Sequence, residues 1–98
     1  MEPTNATELI TVRFPGILRA YCGGASKLVL SAPDVRSVLE QIEQQYPSLH
    51  RNVCEETGKL RHHLNLFVNE DHVRELAGLD TKLAPGDVVT ILPAVSGG

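Results

Sequence analysis

Val88-Val89-Thr90-Ile91-Leu92-Pro93-Ala94-Val95-Ser96-Gly97-Gly98 closes the chain of 98 residues, and its two halves behave differently. The first half is an uncharged β-branched run that reads as a strand. Pro93 stops it, because proline has no N–H to give to a ladder. The second half is a tail ending in two glycines, where a main-chain carboxylate sits on a residue without Cβ that nothing crowds. Extended, Pro93 to Gly98 spans roughly 20 Å, enough to carry that carboxylate into the cleft of another protein.

Working outward from this end, the remaining elements alternate simply. Glu8 to Phe14 has strand periodicity, and Pro15-Gly16 ends it. Ile17 to Ala25 reads as a connection with Gly23-Gly24 near its far side, and Lys27 to Leu30 as a second strand, so the pair forms a hairpin with a long loop. No Gly-Lys-Ser or Gly-Lys-Thr follows the two glycines, so a turn explains them better than a phosphate loop does. Pro33 and Asp34 suit a first helical turn, and Val35, Val38, Leu39, Ile42 and Tyr46 recur at spacings of three and four as one apolar stripe. Pro47 closes that helix.

Ser48 to His63 is polar and mixed and is expected at the surface, with Leu49 and Val53 packing under a short helical turn. Leu64 to Val68 is a third strand with Leu64, Leu66 and Val68 on one face and Asn65, Phe67 and Asn69 on the other. Asn69-Glu70-Asp71 is a turn, Val73 to Leu76 a short irregular strand, Leu79 and Leu83 loop anchors, and Pro85-Gly86-Asp87 the turn into the last strand. A single helix cannot bury its stripe alone, so the sheet supplies the other half of the core. With a hairpin, a crossover helix and two later strands, the first and last strands can lie side by side in a mixed sheet. The expectation is an α+β chain, a β-grasp of four to five strands on one main helix: a flexible segment 1–7, a domain 8–93 and a flexible tail 94–98.

Composition narrows the function classes. The chain carries a formal charge of −3 and no cluster of Lys or Arg interleaved with aromatics, so nucleic-acid binding is not expected. An acidic body suits a basic patch on a partner. No run approaches the length of a membrane span and no apolar leader precedes Glu8, so a cytoplasmic chain without membrane contact is expected. Cys22 and Cys54 lack CxxC spacing and read as free thiols. His62 and His63 would point to opposite faces if extended, and His50 and His72 have no Cys or carboxylate at ligand spacing, so no metal is expected. No catalytic residue is signalled. The terminal carboxylate is then the most chemically placed group: ionised at neutral pH, it can attack the α-phosphate of ATP to give an acyl-adenylate.

A β-grasp order ending in Ile91 to Gly98 resembles the MoaD/ThiS family of ubiquitin-like sulfur carriers, closest to its cysteine-biosynthesis (CysO-like) branch. The likeness runs through Ile17-Leu18-Arg19, Gly23-Gly24, Gly58-Lys59-Leu60, Leu64-Asn65, Val68-Asn69, Asp71-His72-Val73-Arg74, Gly78-Leu79 and Gly86-Asp87. It implies a protein co-substrate and not an enzyme. An E1-like adenylyltransferase or sulfurtransferase, using ATP and magnesium, would adenylate Gly98 and convert it to a thiocarboxylate, with Val95, Ser96 and Gly97 entering its active site. In the cysteine branch a pyridoxal-phosphate cysteine synthase accepts the sulfur and a zinc metallopeptidase trims the carrier; in the molybdopterin branch the acceptor is the large subunit of molybdopterin synthase. The cofactors belong to those partners, and none is expected on this chain. A modifier joined to lysines through the same activated carboxylate is an alternative, and a non-covalent β-grasp interaction module is another. Phe67, Leu92, Pro93 and Val95 are the expected partner surface; for Phe67, cover by neighbouring strands or loops is the competing account. The long Ser48 to His63 loop argues against the compact thiazole-pathway carriers.

Overall fold

The computed structural model describes residues 9–93. The segment 1–7 and the tail with Val95, Ser96, Gly97 and Gly98 lie outside them. Five strands form one mixed sheet in the order β2-β1-β5-β3-β4: β1 Leu9–Arg13, β2 Lys27–Ser31, β3 Leu64–Val68, β4 Asp71–His72 and β5 Val88–Pro93. β1 and β5 are parallel neighbours at the centre, pairing Thr11 with Val88 and Arg13 with Thr90. β2 and β3 flank them antiparallel. This is the β-grasp expected from the element order, with the first and last strands side by side.

Alternation assigns the two faces. Ile10 and Val12 of β1, Leu64, Leu66 and Val68 of β3, and Val89 and Ile91 of β5 are buried on the core side. Helix α2, Val35–Gln45, lays Val35, Val38, Leu39 and Ile42 against them. Asp34 is its N-cap and stands just outside the helix: the extended backbone there lets its Oδ1 accept the Ser37 N–H at 2.8 Å. Those hydrogen bonds from Ser37 hold the Asp34 carboxyl below the usual carboxylate range.

Three elements differ from the sequence expectation. The stretch after Pro15 is folded, as helix α1, Gly16–Arg19, running into a 3-10 turn, Ala20–Cys22, with Leu18 and Cys22 buried beneath. Positive φ at Gly23 and Gly24 (69° and 85°) then returns the chain to β2. Pro47 closes α2 and also opens a further helix, α3, Pro47–Val53, where proline at the first position loses no intrahelical bond. Its Leu49 and Val53 are fully buried, as expected of a helical turn there. Finally, Val73 to Leu76 is not a strand. Pairing ends at His72, and the His72 Nδ1 accepts the Arg74 N–H at 3.1 Å while Leu76 N–H bonds Val73 C=O at 3.0 Å. The side chain closes a 3-10 turn, Val73–Glu75, where the ladder would have continued. Asp71 correspondingly belongs to β4 and not to the preceding turn.

Asp34→Ala is expected to lower stability by about 1 kcal/mol at pH 7. Because the folded carboxyl titrates below its unfolded value of about 3.9, its contribution is present above pH 4 and is lost as pH falls through the folded value. Urea midpoints at pH 7 and in acid check this, and equal midpoints for parent and variant at pH 7 would remove the cap's role.

Candidate docking face and tail root

The face of the sheet opposite the helices carries one unbroken cross-strand row, Lys27-Arg13-Thr90-Phe67-His72, with each residue opposite the next across all five strands. Phe67 is half-buried in this row, its ring 5.0 Å from that of His72 at 71°, the edge-to-face contact aromatic rings favour. With Nδ1 of His72 accepting from Arg74, its Nε2 carries the proton and donates to Asn65 Oδ1 at 2.9 Å. Asn65 in turn stands opposite Leu92. Leu92 is 41% exposed, and Pro93, paired with Leu64, is exposed at the point where the chain passes to residue 94. The structure therefore brings Phe67, Leu92 and Pro93 onto adjacent strands at the root of the tail; Val95 lies outside the described residues.

Two residues that sequence reasoning passed over line the other side of that root. Ile17, 76% exposed, and Tyr21, 42% exposed, border a groove of about 180 Å³ that Pro93 and Leu64 also line. Their spacing of four residues was the available signal, but a helix this short has too few turns to show periodicity. Across β5 a second, shallow groove runs from Val88 past Thr90 to Leu92, with Arg13 and Arg19 on its border.

The described residues include no group of three His, Cys, Asp or Glu arranged for a metal ion. Every buried side-chain nitrogen or oxygen among them has a hydrogen-bond partner, so none is left aimed at a ligand. Among the described residues no helix is long and apolar enough to cross a membrane. Both cysteines are free and buried. Cys54 is the C-cap of α3, its backbone bridges Leu60, and it is buried although the run around it is polar. Burial, reinforced by the charge of Glu43 and opposed by that of Arg61, pushes its thiol up to about 11. Burial also raises the Cys22 thiol, which donates to the Ala25 carbonyl at 3.3 Å.

A mixed sheet with parallel β1 and β5 at its centre, one helical layer and an uncharged last strand leading to a diglycine end define a ubiquitin-like β-grasp protein of the carrier class. The chain belongs to the ThiS family, the ThiS/MoaD ubiquitin-like sulfur carriers, whose family model matches residues 12–98. It is 38% identical over 91 residues to sulfur carrier protein CysO of Mycobacterium tuberculosis, covering 91% of this chain and 98% of that protein. The crystal structure of that CysO superposes with a TM-score of 0.81, covering 88% of this chain and 99% of the other. The CysO relative in the Amycolatopsis orientalis BexX/CysO complex is 34% identical, with a TM-score of 0.81 and coverage of 91% and 99%. Small archaeal modifier protein 1 of Methanosarcina acetivorans is 32% identical, with a TM-score of 0.79 and coverage of 92% and 96%. Sulfur carriers of this kind are small ubiquitin-like proteins and not catalysts.

The thiolate is the reactive form of cysteine, so at pH 8 a thiol titrating near 11 is ionised in about one molecule in a thousand. Iodoacetamide at pH 8 is expected to leave Cys54 and Cys22 of the native protein unlabelled over times that fully label the urea-unfolded chain, as read by intact mass. Native labelling at the unfolded rate would contradict their burial.

Proposed function

We propose that this chain is a sulfur carrier whose working group is the Gly98 carboxylate, with cysteine biosynthesis as the favoured destination. The observation that supports it most is likeness to CysO over nearly that protein's whole length, on a chain that ends in Gly97-Gly98. In this scheme a Gly98 carboxylate oxygen attacks the α-phosphate of ATP and pyrophosphate leaves. A sulfur nucleophile from a donor then attacks the acyl carbonyl and expels AMP, and the product is a thiocarboxylate. Gly98 has no β-substituent to hinder that attack, and Gly97 lets the main chain pass a narrow channel, with Val95 and Ser96 behind them.

The activating partner is an E1-like adenylyltransferase that brings ATP and magnesium. The sulfur acceptor is a pyridoxal-phosphate cysteine synthase, followed by a zinc metallopeptidase that trims the carrier's end; the large subunit of molybdopterin synthase is the acceptor if the pterin branch applies. Phe67, Leu92 and Pro93 supply the apolar contact that seats the body while the tail is held, and Val95 extends it. Cytoplasmic work is consistent with such partners. The likeness to a small archaeal modifier supports a second reading, conjugation to lysines, because an acyl-adenylate accepts an amine as readily as a sulfur nucleophile. Isopeptide-linked ladders recovered from cells and lost with Gly98 would favour it.

Incubation with the adenylyltransferase, ATP, magnesium and a sulfur donor is expected to add the mass difference of sulfur for oxygen at Gly98 in the intact protein. Deleting Gly97 and Gly98 should abolish the product, and an unchanged mass for the parent would remove the sulfur-carrier assignment. In the same assay Phe67→Asp is expected to raise the KM for the carrier by about tenfold or more, the loss typical of an interface anchor. Its circular dichroism should stay native; global unfolding would show instead that the ring serves the core.

A further inference from the structure

The formal charge of −3 is not spread evenly. From Leu9 to Pro33 the chain has no Asp or Glu, but it has Arg13, Arg19 and Lys27. β3 and β5 carry no charged side chain and the one acid of the sheet, Asp71 of β4, pairs with core-facing Val68, so among the described strands the Lys and Arg side chains on the open face are Arg13 and Lys27, both exposed. These two cations stand directly opposite each other in the antiparallel β1–β2 ladder, an arrangement that opposes folding. Among the described residues neither forms an ion pair: the one ion pair there is Arg36–Asp80, made by the helical side of the molecule. Arg19, at the end of α1, adds a third cation on the same border, and it shares with Arg13 the groove that leads along β5 to Leu92. An unfavourable pair retained where nothing in the fold requires it is the pattern expected of a binding surface.

We propose that Arg13, Arg19 and Lys27 form a recognition strip for carboxylates on the enzyme that takes the tail, so that the partner's docking surface is acidic beside an apolar contact at Leu92. This rests on the sulfur-carrier reading above and reverses the charge complementarity that the net charge alone implies. Planar guanidiniums at Arg13 and Arg19 match carboxylates two bonds at a time, and the strip steers the tail's root toward the partner from a distance.

The test uses the full chain with the E1-like adenylyltransferase of the same organism, reading thiocarboxylate formation by mass and association by stopped flow over a range of salt. Arg13→Glu and Arg19→Glu are each expected to raise the KM for the carrier about tenfold with kcat within about twofold, and to flatten the salt dependence of association. Glu40→Lys is expected to change neither. Arg13→Glu also places a carboxylate opposite Lys27, so its urea midpoint should equal or exceed the parent's, a result that separates lost docking from lost folding. A parent association rate indifferent to salt, or glutamate variants with the parent's KM or a lower one, overturns the strip while leaving thiocarboxylate formation intact. A parent that forms no thiocarboxylate overturns the sulfur-carrier reading itself, and the strip with it.

Discussion

The parallel contact between β1 and β5 is the constraint on which the remaining structure depends. It joins the two ends of the described chain at the centre of the sheet, where neither strand has a free edge and both must fill the core with their alternate residues. Ile10, Val12, Val89 and Ile91 are each at most 1% exposed as a result. The same alternation turns Arg13, Thr90 and Leu92 outward together, so the register that builds the core also lays out the opposite face. Because β5 is at once the central strand and the last described one, residue 94 onward leaves from the middle of the sheet. Gly98 is thereby attached to a fixed platform, and any protein that grips the platform knows where the carboxylate starts.

The elements legible in the sequence were those with two or more periods of an apolar pattern. β1, β3, β5 and the stripe of α2 declare themselves in this way, and with them the β-grasp order. What escaped was short or held together by side chains. Leu18 and Cys22 mark the inner face of α1 and its following turn, but two residues do not make a period. The end of β4 is decided by the imidazole of His72 capping Arg74, a contact that depends on tertiary position and has no sequence signature. Cys54 sits in a polar run, and only its burial at the end of α3 shows that it is enclosed.

The site divides along a similar line. Phe67 and Leu92 could be placed on one face because strand alternation and pairing order predict which residues share it, while Pro93, paired with Leu64, turns to the other side of the sheet at the same end of β5. Ile17 and Tyr21 could not, since they reach the tail root from an element the sequence hid. Net charge misled in a more general way: it is a sum over the surface, whereas a partner meets one side. Here the stretch from Leu9 to Pro33 carries Arg13, Arg19 and Lys27 and no acid, although the whole chain sums to −3.

The enclosure of the two thiols has a consequence for the sulfur-carrier scheme proposed above. In the proposed scheme the acyl-adenylate is an electrophile, and an accessible thiolate on the same body could attack its carbonyl, expel AMP and close the chain into a thioester. With Cys22 and Cys54 each 2% exposed, the folded body offers no accessible thiol of its own to such a step. Traffic is then confined to one exit.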